Sequence, residues 1–164
     1  MDAIVTSVVA VLGTLLGSTV THVFQQRSAQ RAEQNARRER LRQERLDVCG
    51  AYAGLLVDFR QAMLHHWYCV NEGRDAQDEA ALRGRSFELR SRAQTALFQL
   101  QLITESPEVT AAAVEAFRVI GAINRAENVG AVTPLRSTTW ELIDAFVAAA
   151  RRHANVPLVD LHRI

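Results

Sequence analysis

Residues 3–24 read AIVTSVVAVLGTLLGSTVTHVF, a run of 22 without Asp, Glu, Lys or Arg, and the reading of the chain turns on them. As a helix at about 1.5 Å per residue, the run is about 33 Å long against roughly 30 Å of bilayer hydrocarbon. Eleven large apolar residues between Ile4 and Phe24 favour insertion by about 3–7 kcal/mol together. Thr6, Ser7, Thr14, Ser18, Thr19 and Thr21 work against this, as do Gly13 and Gly17, although hydroxyls that bond back to the preceding turn lower that cost. A cleaved leader fits less well, because the start, Met1-Asp2, is negative and the positive charge comes after the run. Core helices of soluble proteins rarely go this long without a charged face. The run therefore predicts a single transmembrane helix, an anchor over residues 1–24.

Charge placement sets the expected orientation. Arg27, Arg31, Arg37, Arg38, Arg40, Arg42 and Arg45 follow the run, and nothing basic precedes it. The positive-inside rule then puts the N-terminus outside and the body in the cytoplasm, with the cell membrane as the location. Within the run, Thr6, Ala10, Gly13, Gly17 and Thr21 fall on one helical face. Gly13 and Gly17 have the spacing that lets two membrane helices approach closely, so this ridge is the candidate oligomerisation surface of a homo-oligomer.

Residues 25–46 contain no Gly or Pro and carry seven Arg against Glu33, Glu39 and Glu44. A helix polar all round is a solvent-exposed connector, here a basic stalk continuing from the anchor. Arg27 and Arg31 lie close enough to the membrane to meet anionic lipid headgroups, at about 1 kcal/mol each. The later arginines interleave with glutamates and read as solvated. The whole chain carries a net charge of only +1, so the basic excess is local.

From Leu41 onward, apolar stripes at helical spacing predict four amphipathic helices within residues 41–154. The first presents Leu41, Val48, Tyr52, Leu55, Phe59, Ala62 and His66, and Asn71-Glu72-Gly73 stops it. The second, over 77–104, presents Leu82, Ser86, Leu89, Ala93, Leu97, Leu100 and Ile103, with Phe87 and Phe98 beside the stripe. Ser106-Pro107-Glu108 opens the third with a capping serine and a first-position proline. It is expected to reach Ala126, with Val109, Ala113, Ala116, Phe117, Ile120 and Ile123 inward. Thr133-Pro134 repeats the signal for the fourth, which Trp140, Ile143, Val147 and Ala150 face inward, and Thr138 with Glu141 spells a capping box. Short turns make neighbouring helices antiparallel. The expected fold is all-α: a single transmembrane helix continuing into an antiparallel four-helix bundle, with a short tail over 155–164. Residues 25–46 and the bundle overlap at their junction.

Chemistry is sparse. HHWYC places His65, His66 and Cys69 within one turn, but a structural metal site needs about four ligands, and the pattern reads as packing near a helix end. Glu-x-x-His pairs, phosphate loops and a nucleophile elbow are absent from the sequence. Asp58 and Asp144 lie inside helices and read as solvated or salt-bridged positions. Cys49 and Cys69 lie 20 positions apart on one predicted helix, about 30 Å, and so cannot pair within it. No enzyme, cofactor or metal is expected. Direct nucleic-acid binding is not expected either: the glutamates dilute the basic stretch, and it lacks aromatic residues for stacking. A second basic cluster, Arg83, Arg85, Arg90 and Arg92, spreads over the outer face of its helix.

The stretches VVAVLGTLLGSTVTHVFQQRSAQRAE and RRERLRQERLDVCGAYAGLLVDFRQAM resemble small membrane proteins of actinomycete plasmids and chromosomes labelled KilB-like. The resemblance covers mainly the first 65 or so residues and carries no site residues over. It implies a role in conjugative plasmid transfer or spread. The expected function is therefore a membrane-tethered, non-enzymatic interaction or scaffold protein with membrane lipid, copies of itself and a further protein as partners. The alternative is a membrane-active oligomer, pore- or holin-like, with Thr14, Ser18 and Thr21 lining water.

Overall fold

The computed structural model describes residues 2–73 and 76–155, with side chains for 30–73 and 77–154. All regular structure among the described residues is helical: α1 (Asp2–Asn71), α2 (Ala76–Ile103), α3 (Pro107–Ile120), a single 3-10 turn over Ile123–Arg125, and α4 (Val129–Asn155). The chain forms two compact units, Met1–Arg42 and Gln43–Ile164. Among the described residues no helix is long and apolar enough to cross a membrane. The predicted span, residues 3–24, lies outside the residues described with their side chains, as does the predicted tail from residue 156 on. In the first unit, the described side chains of residues 30–41 are exposed, as a helix polar all round requires.

The second unit is a helical bundle whose core follows the apolar stripes. Tyr52, Leu56, Phe59, Ala62, Met63, Leu64 and Trp67 of α1 are buried. So are Leu89, Ala93, Leu97 and Leu100 of α2, and Val109, Ala113, Ala116 and Ile120 of α3. Cross-helix contacts fix the directions. Tyr52 Oη donates to the Ala113 carbonyl at 2.9 Å, Phe59 stacks on Phe117 at 5.6 Å, and Trp67 Nε1 donates to the Ala126 carbonyl at 2.8 Å. Partners rise together along both elements, so α1 runs parallel to α3. Against α4 the order reverses, Tyr52 meeting Phe146 and Arg60 meeting Thr139, so that pair is antiparallel. The result is up-down-up-down.

The helix ends show which local signals decided the boundaries. Gly73 closes α1 with φ of 67°, the left-handed conformation that glycine adopts without strain. Ser106 caps α3 by accepting from the Val109 N–H at 3.4 Å, with Pro107 at the first helical position. Two expected boundaries differ. Helix α3 ends at Ile120 rather than near Ala126, because the chain tightens: Ala122 N–H bonds to the Val119 carbonyl and Arg125 N–H to that of Ala122. Helix α4 starts at Val129, ahead of Thr133-Pro134, because Asn128 Oδ1 accepts from the Ala131 N–H at 3.0 Å and caps it. Thr133 is then inside the helix, donating to the Val129 carbonyl, and Thr138 and Glu141 make no capping box there.

That earlier start accompanies a different inward face. Val132, Thr139, Ile143, Phe146, Ala149 and Ala150 are buried, whereas Trp140 and Val147, expected inward, stand exposed at 46% and 44%. Trp140 is instead covered from outside by the Arg60 guanidinium, 5.3 Å from its ring centre. Arg60 also donates to Thr139 Oγ1 at 2.9 Å and to the Arg136 carbonyl at 2.7 Å, which ties α1 to α4.

Candidate functional site

The sequence-predicted site residues mostly lie where side chains are not described: Thr6, Ala10, Gly13, Gly17 and Thr21 of the oligomerisation ridge, and Arg27. Arg31 is described, and it is exposed. The His65, His66 and Cys69 group does not converge, since His65 is exposed, His66 half-buried and Cys69 buried. Among the described residues no group of three or more His, Cys, Asp or Glu could hold a metal ion. Burial also pushes the half-buried Cys49 thiol up from its ordinary value, by desolvating the thiolate.

Two surface features of the bundle remain. The first is an apolar stripe on the outer face of α2. Phe87, Phe98 and Leu102 are 64%, 56% and 88% exposed. Their spacing of 11 and then 4 residues returns each to nearly the same angle around a helix of 3.6 residues per turn. Phe98 and Leu102 adjoin one turn apart, and Phe87 lies about 16 Å back along the same side of the helix.

The second is a groove of about 340 Å³ where α1, α2 and the turn after α3 meet. Met63 and His66 of α1 form one wall. Arg83, Ser86, Phe87 and Arg90 of α2 form another, and Gly121, Asn124 and Arg125 complete it. Ser86 holds α1 and α2 in register, its hydroxyl bonding to the Ala62 carbonyl at 3.2 Å and the Leu82 carbonyl at 2.9 Å. Arg83 lies 3.4 Å from Glu79. Arg90 and Arg125 have no carboxylate partner among the described residues. Both ring nitrogens of His66 are buried without a hydrogen-bond partner. A neutral imidazole always carries one N–H, and an unsatisfied buried donor costs about 1–3 kcal/mol. The groove thus combines positive charge, a polar side chain short of partners and an exposed aromatic ring.

The sequence showed the arginines of α2 as a dispersed cluster and His66 as part of the bundle stripe. It gave no sign of Asn124 and Arg125, which reach the groove only because α3 stops at Ile120 and the 3-10 turn redirects the chain.

A family model described as KilB plasmid transfer protein matches residues 46–154. The match covers the helical bundle and shares only residues 46–65 with the opening stretch on which the sequence resemblance rests. No curated protein and no solved structure matches the chain.

Proposed function

The chain belongs to the KilB plasmid transfer protein family, and we propose that it serves plasmid transfer as a non-enzymatic assembly protein tethered to a membrane. The observation that carries the assembly role is the outward α2 stripe of Phe87, Phe98 and Leu102. In this reading residues 3–24 anchor the chain, with the N-terminus outside and the bundle in the cytoplasm. Arg27 and Arg31 meet lipid headgroups, and Gly13 and Gly17 let two anchors pack. The bundle then brings its α2 face against a protein surface, first of all a second copy of the chain. The uncharged run and the arginines after it support the tether, and the family match supports the process.

The test is crosslinking of the full chain in membranes, beside Gly13→Ile and the double variant Phe98→Gln/Leu102→Gln. The expected result is higher-order species in the parent that fall sharply in the double variant, with recovery in the membrane fraction unchanged. Crosslinking unaffected by the double variant would mean that the α2 face is not the assembly surface. Recovery of the full chain in the soluble fraction removes the tether.

A further inference from the structure

We infer that the groove formed by α1, α2 and the turn after α3 binds a phosphate-bearing ligand. Three arginines line it from two elements far apart in sequence, Arg83 and Arg90 on α2 and Arg125 beyond α3. Among the described residues only Arg83 of the three lies near a carboxylate, that of Glu79. An arginine side chain gains most from a tetrahedral oxyanion, because its planar fork donates two parallel hydrogen bonds. Like charges on separate elements that share a groove repel one another, and an anion between them removes that repulsion.

Phe87 narrows the choice of ligand. His66 lines the α1 wall, but its ring nitrogens are closed to solvent, so the donors offered to a ligand are the arginines. Asn124, in the same 3-10 turn as Arg125, adds a further amide donor. Phe87, mostly exposed, flanks the charged part with an apolar ring. A phosphate ester with an apolar or planar organic portion matches both halves, and its volume suits a groove of about 340 Å³. Such a group belongs either to a free phosphorylated small molecule or to a phospholipid headgroup. The site is separate from the assembly stripe apart from Phe87, so it stands or falls on other residues.

The test is calorimetric titration of the full chain, held in a non-ionic detergent, with inorganic pyrophosphate and with dihexanoyl phosphatidic acid. Arg90→Gln and Arg125→Gln change exposed side chains and leave the core intact, which their thermal transitions check. Each is expected to weaken binding about 10- to 100-fold, the loss of one charge-assisted contact. Arg92→Gln, whose parent side chain pairs with Glu88 outside the groove, is expected to bind as the parent does. Tighter binding of pyrophosphate points to a free phosphorylated ligand, and tighter binding of phosphatidic acid to a lipid. No measurable binding of either probe overturns the inference, as does binding that all three variants retain equally.

Discussion

The pairing of Tyr52 with Phe146 gives the sharpest test of the bundle, because it joins α1 to α4 at the centre of the core. Both rings are fully buried, 5.3 Å apart and nearly perpendicular at 88°, and the Tyr52 hydroxyl reaches the Ala113 carbonyl of α3. Tyr52→Phe removes that hydrogen bond alone and should cost about 0.5–1.5 kcal/mol. Tyr52→Leu and Phe146→Leu keep apolar bulk but lose a ring, and roughly 1–2 kcal/mol each follows from their burial. Edge-to-face aromatic pairs contribute about 0.5–1.5 kcal/mol beyond burial, so the double-mutant cycle should return a coupling of that size. A domain of this size has about 5–15 kcal/mol of stability, which leaves the double variant folded. The assay is urea unfolding followed by circular dichroism, with the parent and all four variants measured in one buffer. Burial also raises the Tyr52 phenol well above its ordinary value by desolvating the phenolate. The unfolded phenol ionises near pH 10, so this contribution is full below that pH and is lost as pH rises towards the folded value. Tyr52→Phe should therefore flatten the alkaline loss of stability. A coupling indistinguishable from zero would refute the α1–α4 register.

Two further outcomes follow from the described contacts. Trp67→Phe deletes the donor to the Ala126 carbonyl and should destabilise the bundle by about 1–3 kcal/mol, read as a lower denaturant midpoint with its slope unchanged. Iodoacetamide at pH 8 should alkylate Cys49 slowly, because burial disfavours its thiolate, and Cys69 not at all until the bundle is unfolded, because only 1% of it is exposed. Rapid modification of Cys69 in the native chain, found by peptide mass, would contradict its burial.

How far the sequence carried the fold depended on which physical signal decided each element. Helix α2 and α3 stripes were legible because their apolar residues recur cleanly and Ser106-Pro107 marks a boundary chemically. Helix α4 was not, because Thr133-Pro134 carries a start signal that the chain overrides by capping the helix earlier, at Asn128. Trp140 fits the inward stripe of α4 by spacing, and it is large and apolar in part. Its actual place, under the Arg60 guanidinium, depends on a residue 80 positions earlier, which periodicity cannot see. The end of α3 hid for a different reason: no Gly-Pro or Asn-Gly pair marks it, and Gly121 keeps right-handed helical angles as the chain tightens into the 3-10 turn. The groove depends on that tightening. Arg125 joins Arg83 and Arg90 only in three dimensions, so the sequence yielded the arginines but not their convergence.

Self-assembly through the α2 face is tested most directly by the mass of the bundle in solution. A shortened chain beginning at Gln43, where the second compact unit starts, would be weighed by sedimentation equilibrium beside its Phe98→Gln/Leu102→Gln variant. The expected result is a concentration-dependent oligomer for the parent and a folded monomer for the variant. An oligomer of the same mass in both, or a parent that stays monomeric at every concentration, would contradict self-assembly through the α2 face.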